Sequence, residues 1–204
     1  MSLWYNRTAW NLTGFLLLLA WFSLLNGWRL TLLVLSAAAV HELGHLLALK
    51  LVGGGPVRLE LSPFGAVMRI SGLGLSYPRE LAAVLAGPGA NFLMGGALLL
   101  AGPAHETAAG ANWVLGCFNL LPAAPLDGWR AMQLVLSWLL GPDRGAAWAS
   151  ALGGAGGILL GSGILWLMLR SGGNLWLLPA AAGVGAAGVR TWLSSGESGK
   201  IRGS

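Results

Sequence analysis

Long apolar runs separated by short polar breaks occupy most of the chain, and they predict six membrane-crossing segments. The first covers about 9–27, the second about 30–52 and the third about 81–102. The fourth runs from about 111 to 140 and is interrupted by prolines. The fifth covers about 146–169 and the sixth about 174–194. Each approaches or exceeds the roughly 20 apolar residues that a helix needs to cross a hydrocarbon core. Between Gly53 and Glu80 the pattern changes. Pro56, Pro63, Gly65 and Pro78 exclude a spanning helix. Val57, Leu59 and Leu61 alternate with Arg58, Glu60 and Ser62, which is the period of a strand. With SPFG at 62–65 as the turn and AVMRI as the returning strand, a short β-hairpin is expected at about 56–71. It is expected at the cytoplasmic face, dipping toward the membrane, where non-helical backbone needs protein or water around it. The expected fold class is therefore an all-α polytopic membrane protein of six transmembrane helices with a short membrane-associated β-hairpin.

Composition agrees with this class. The chain is 55% hydrophobic and 9% charged, where a soluble domain carries about 25% charged residues. The last two segments are rich in Gly and Ala, which suits close helix packing in lipid. Trp4, Tyr5, Trp10, Trp28, Trp113, Trp176 and Trp192 gather near segment ends, as interfacial anchors do. The net charge of +5 comes from single basic residues spread among loops, so no nucleic-acid partner is expected. With a cytoplasmic N-terminus, nine basic residues (Arg7, Lys50, Arg58, Arg69, Arg79, Arg144, Arg190, Lys200 and Arg202) fall inside. Arg29 and Arg170 fall outside, and Arg130 lies within the fourth segment. That bias predicts both termini in the cytoplasm. Cys117 is the sole cysteine, so it forms no internal disulfide and reads as a small buried side chain. No cleavable signal peptide is expected, because no small-residue cleavage site follows the first apolar run.

The chemistry lies in the second segment, in the run His41-Glu42-Leu43-Gly44-His45. Positions four apart on a helix point to nearly the same side, so both imidazoles can reach one ion. Glu42 lies beside that face, placed to take a proton from water at the metal. The alternative is a polar cluster that packs helices without metal, but ionisable residues inside a membrane segment are costly and usually functional. A catalytic zinc takes three protein ligands and keeps one position open. Asp127, within NLLPAAPLDG at 119–128, is the other acid deep in a membrane segment. His45 and Asp127 lie about 15 and 16 residues from the outer starts of their segments, which run the same way. Both depths are roughly 22–24 Å at 1.5 Å per residue, in the cytoplasmic half. Asp127 reads either as the third ligand or as a partner of Arg130, three residues on. Pro122 and Pro125 unwind the backbone before Asp127, freeing groups that can hold an extended peptide. His105, in the loop GPAHET on the outer side, reads as a solvated residue.

HELGH in one membrane helix and NLLPAAPLDG in a later one resemble the site-2 protease family of intramembrane zinc metalloproteases. AGPGAN at 86–91 is similar to that family's third-helix motif, and SPFGAVMRI to its membrane-associated hairpin. The similarity covers roughly residues 30–140. Six helices without a large insertion resemble the bacterial sporulation-type branch. The resemblance implies Zn2+ held by His41, His45 and Asp127, with Glu42 activating water. It also implies that Asn119 positions substrate backbone near Pro122 and Pro125. Asn91 it marks as a supporting polar group, for which plain interhelical hydrogen bonding is the equal alternative. The implied organisation is a first helix at 1–29, a catalytic core of three helices and the hairpin at 30–140, two further helices at 141–194 and a polar tail at 195–204. No CBS or PDZ domain is expected, since about ten residues follow the last segment. The expected location is the bacterial inner membrane, with the active site toward the cytoplasm. The expected partners are the lipid bilayer, a membrane-protein substrate cleaved in or near its transmembrane segment, and a regulatory membrane protein. A metal transporter and an inactive membrane scaffold stay as alternatives. A transporter needs polar ligands on a path to both faces, and the outer halves offer little beyond Asn11, Thr13, Ser150 and Ser162.

Overall fold

The computed structural model describes residues 2–54, 57–62, 65–70, 75–175 and 177–200, and most of them are helical. Helix α1 (Ser2–Asn26) and helix α2 (Trp28–Leu51) are separated by Gly27 alone. Its φ of 84° is a conformation that glycine adopts without steric penalty. After α2 come strands β1 (Val57–Ser62) and β2 (Gly65–Ile70), paired antiparallel with Val57 opposite Ile70 and Ser62 opposite Gly65. Pro63 and Phe64 of the expected turn lie outside the described residues, as do the hairpin's expected outer ends at 56 and 71. Strand β1 runs beside α1.

Helix α3 (Tyr77–Leu100) opens with Pro78 in its first turn, where a missing N–H is harmless, and Glu80 complements the positive end of the helix. It then passes through Pro88 without ending. The expected fourth segment is two helices, α4 (Glu106–Asn119) and α5 (Asp127–Leu140). Between them lies the non-helical stretch 120–126, with Pro122 and Pro125. Helices α6 (Pro142–Arg170) and α7 (Leu177–Lys200) complete the chain.

Several boundaries differ from the expected ones. Helix α3 begins at Tyr77 rather than 81, and α4 at Glu106 rather than 111. Helix α7 begins at Leu177 and continues through 195–200, where a flexible polar tail was expected. Hydropathy registers the apolar slab alone, whereas backbone hydrogen bonding carries a helix on into polar sequence.

Burial runs opposite to that of a water-soluble protein. Leu24 and Leu100 are 84% and 92% exposed, while Asn91 and Asn112 are 0% and 3% exposed. Large apolar side chains cover the outside, and small or hydrogen-bonded polar residues fill the inside. That arrangement suits lipid, where small residues allow close backbone approach and polar side chains bond across helices. Among the described residues, helices α2, α3 and α6 are each long and apolar enough to cross a membrane.

Two close approaches set the frame of the site. Helices α2 and α3 cross at Gly44, where an added Cβ would lie 2.5 Å from the Ala86 carbonyl oxygen. Helices α6 and α7 meet along glycines, with an added Cβ on Gly157 or Gly161 falling 2.8 Å from Gly188 or Gly185. Helix α6 in turn anchors the loop before Asp127. The Ala124 N–H donates to the Gly153 carbonyl at 2.9 Å, and Trp129 Nε1 donates to the Ala149 carbonyl at 3.0 Å.

Candidate metal centre

His41 and His45 lie one turn apart on α2 and face α3, while Asp127 opens α5. The non-helical stretch 120–126 and its anchor on α6 bring that carboxylate against α2. His41 Nε2 lies 2.9 Å from Asp127 Oδ2, His45 Nε2 lies 3.2 Å from the same oxygen, and the two Nε2 atoms are 3.1 Å apart. His41 is buried, and His45 and Asp127 are half-buried.

The far side of each ring determines what these nitrogens are. His45 Nδ1 is 2.9 Å from the Ala83 carbonyl oxygen, which only accepts, so Nδ1 carries the proton. His41 Nδ1 is 2.7 Å from Asn91 Oδ1, and again the ring nitrogen must donate. With Nδ1 so engaged, both rings turn Nε2 inward, toward each other and toward a carboxylate oxygen. Two ring nitrogens and a carboxylate oxygen so close together need positive charge between them, from a metal ion or from protons on the rings. The donor chemistry, two imidazoles and one carboxylate, is that of a catalytic zinc. The spacing also fits. Zinc bonds of about 2.0–2.1 Å place tetrahedral ligands about 3.3 Å apart. These are the three donors among the described residues that can hold one ion together.

Glu42 lies half-buried on the next position of α2, within electrostatic reach of His45, His41 and Asp127. Arg130, the alternative partner of Asp127, points elsewhere. Its guanidinium pairs with Glu80 of α3, and its Nη1 donates to Gln133 at 2.8 Å.

No model of a known protein family matches the chain. The zinc metalloprotease MJ0392 of Methanocaldococcus jannaschii is 32% identical over 139 residues, which are 60% of this chain and 40% of that protein. Rip3 of Mycobacterium tuberculosis is 31% identical over 117 residues, 51% of this chain and 30% of that protein. The chain thus spans about 40% or less of the length of these relatives. The solved structure of a site-2 protease from Methanocaldococcus jannaschii superposes with a TM-score of 0.66 at 28% identity, covering 87% of this chain and 86% of that one. In sequence and in fold the chain is similar to site-2 proteases.

Within this site-2 protease fold, the remaining expected residues separate into two groups. Asn91 joins the His41–His45–Asp127 cluster from behind, both bonding His41 and tying α3 to its neighbours. Its Nδ2 donates to the Ala37 carbonyl at 2.9 Å and to Asn112 Oδ1 at 3.0 Å. Asn119, Pro122 and Pro125 stand on or beside the loop leading into Asp127. Asn119 Nδ2 donates to the Leu115 carbonyl of its own helix at 3.2 Å, outside the metal cluster. Pro122 and Pro125 are exposed, and so is His105. Sequence reasoning missed Asn112 and the Ala83 carbonyl. An asparagine inside the apolar run ANWVLG was the available signal for the first. A backbone carbonyl leaves none.

Gly87 gives the His45 ring its space. An added Cβ would lie 2.2 Å from His45 Nε2, closer than any real contact. Overpacking a close-fitted interior costs about 1–3 kcal/mol. Gly87→Ala is therefore expected to weaken zinc binding by at least about 5-fold, by displacing the ring. Competition with a chromophoric chelator in detergent measures it, and wild-type affinity would show that the ring moves aside without harm.

Proposed function

We propose that this protein is an intramembrane zinc metalloprotease that hydrolyses peptide bonds in or near transmembrane segments of membrane-protein substrates. The observation that carries the reading is the convergence of two imidazole Nε2 atoms and a carboxylate oxygen beside Glu42, on an apolar helix long enough to span a bilayer. His41, His45 and Asp127 hold the ion, and Glu42 is the general base. When bound, zinc supplies Lewis acidity to water and to the scissile carbonyl. Glu42 accepts the water proton and returns it to the leaving amine.

A transmembrane substrate hides its carbonyls in helical hydrogen bonds, so it must be drawn out into an extended chain. Two places supply partners for one. The β1–β2 sheet has two strands among the described residues, so each strand has one edge unmatched by another strand. The stretch 120–126, with Pro122, Pro125 and nearby Asn119, is the other, holding substrate backbone beside Asp127.

The chain is read as a multi-pass protein of the bacterial inner membrane with six spans, the fourth formed by α4, the break at 120–126 and α5. The hairpin lies at the cytoplasmic face, both termini are cytoplasmic, and a regulatory membrane protein is a further partner. The excess of inward basic residues supports this orientation. The test is cleavage of a transmembrane peptide by purified protein in proteoliposomes. Chelation is expected to abolish it, and stoichiometric zinc to restore it. Cleavage that survives complete metal removal would sink the reading, as would transport of zinc without cleavage.

A further inference from the structure

We propose that Asn112 is a positioning residue for the metal centre, acting through Asn91 to fix the orientation and tautomer of the His41 ring. The proposal rests on the zinc reading above. Asn112 lies on α4, two helices away from His41, and is buried. Its Nδ2 donates to the Ala108 carbonyl at 2.9 Å, which turns its Oδ1 toward Asn91. Asn91 then spends one amide hydrogen on Asn112 Oδ1 and the other on the Ala37 carbonyl. With both hydrogens engaged, the group left to face His41 Nδ1 is the Asn91 oxygen. That oxygen accepts only, so His41 keeps its proton on Nδ1 and its lone pair on Nε2.

A flipped Asn91 reverses every contact. Its oxygen would face two other acceptors, the Ala37 carbonyl and Asn112 Oδ1. Its amide nitrogen would face His41 Nδ1, which would then have to accept. The proton would move to Nε2, and His41 could not bind metal. Both asparagines are almost fully buried, so water cannot stand in for a lost partner. The Ala37 carbonyl holds one hydrogen of Asn91, and Asn112 holds the second. Outer partners of metal-bound histidines fix tautomer and ring orientation in this way. Asn112 therefore joins α4 to a centre whose donors come from α2 and α5.

The experiment measures zinc affinity of the full chain in detergent by chelator competition, with 15N-histidine NMR reporting the His41 tautomer. Asn112→Leu is expected to weaken zinc about 10-fold, at the low end of the effect of outer partners. It is also expected to populate the Nε2-protonated form of His41. Asn91→Leu is expected to weaken zinc by up to about 100-fold, and the double variant no further than Asn91→Leu alone. Asn112→Asp is the rescue. Protonated, it donates to the Ala108 carbonyl and accepts from Asn91, so near wild-type affinity is expected. Wild-type affinity in folded Asn112→Leu, or additive losses in the double variant, would overturn the relay and leave the zinc reading intact. If Asn112→Leu does not fold, Asn112→Asp decides, and a loss of affinity there overturns the relay. A wild-type chain that binds no zinc overturns both.

Discussion

Glu42→Gln is expected to lower cleavage of a membrane substrate by about 10²–10⁴-fold, the usual contribution of a positioned general base. That is about 3–5 kcal/mol of transition-state stabilisation. The substitution replaces one carboxylate oxygen by an amide and keeps the side chain's shape, but an amide cannot take the proton from water. The three converging donors belong to His41, His45 and Asp127, and each histidine is oriented by α3 rather than by Glu42. Zinc content is therefore expected to stay near one per chain. Metal analysis and a cleavage assay on the same preparation separate the outcomes. Undiminished cleavage removes Glu42 as the base. Loss of zinc together with activity makes Glu42 a support of the ligand set instead. The same inactive chain serves to trap substrates, since membrane proteins that accumulate in its presence, compared with active enzyme, are the candidates.

The parts of this site that are local in sequence were legible in it. His41 and His45 are four apart, and a helix alone puts them on one side. Asp127 was legible for a different reason. A helix rises by a fixed amount per residue, so counting along two apolar segments gave His45 and Asp127 similar depths, although the start of α4 at Glu106 and the break at 120–126 make that count approximate. Counting could not say which way a side chain turns. Arg130, one turn after Asp127, was the alternative partner for it by spacing. The structure gives Arg130 to Glu80, 50 residues away, because α3 and α5 pack side by side. The prolines announced the break at 120–126, and the alternation at 57–62 announced a strand. The Asn112–Asn91–His41 chain was illegible. It depends on the relative rotation of α2, α3 and α4, and no periodicity within one helix carries that information. Helix ends were legible only as the limits of apolar sequence, so α3, α4 and α7 run past the expected boundaries.

Asp127→Asn is expected to weaken zinc binding by more than about 100-fold, beyond the 10–100-fold typical of an outer partner. Asp127 is the one anionic donor of the three, and its carboxylate contributes both a ligand atom and the charge that offsets the metal's own. An asparagine loses the charge but keeps the side chain's shape. Its amide hydrogens can be donated to the two inward lone pairs on His41 Nε2 and His45 Nε2, which lie 2.9 Å and 3.2 Å from the present Asp127 Oδ2. The amide thus keeps hydrogen bonds to both rings in place of the carboxylate. The variant is therefore expected to fold, and its metal-free form to melt no lower than metal-free wild type. Zinc is expected to raise the melting temperature of the wild type and barely change that of the variant, since a ligand that binds only the native state stabilises it in proportion to ln(1 + [L]/Kd). Both quantities come from one thermal series in detergent with and without chelator. Unchanged zinc affinity would return Asp127 to a structural partner of the two histidines. A metal-free variant that melts well below wild type would show that the carboxylate holds α5 against α2 even without an ion.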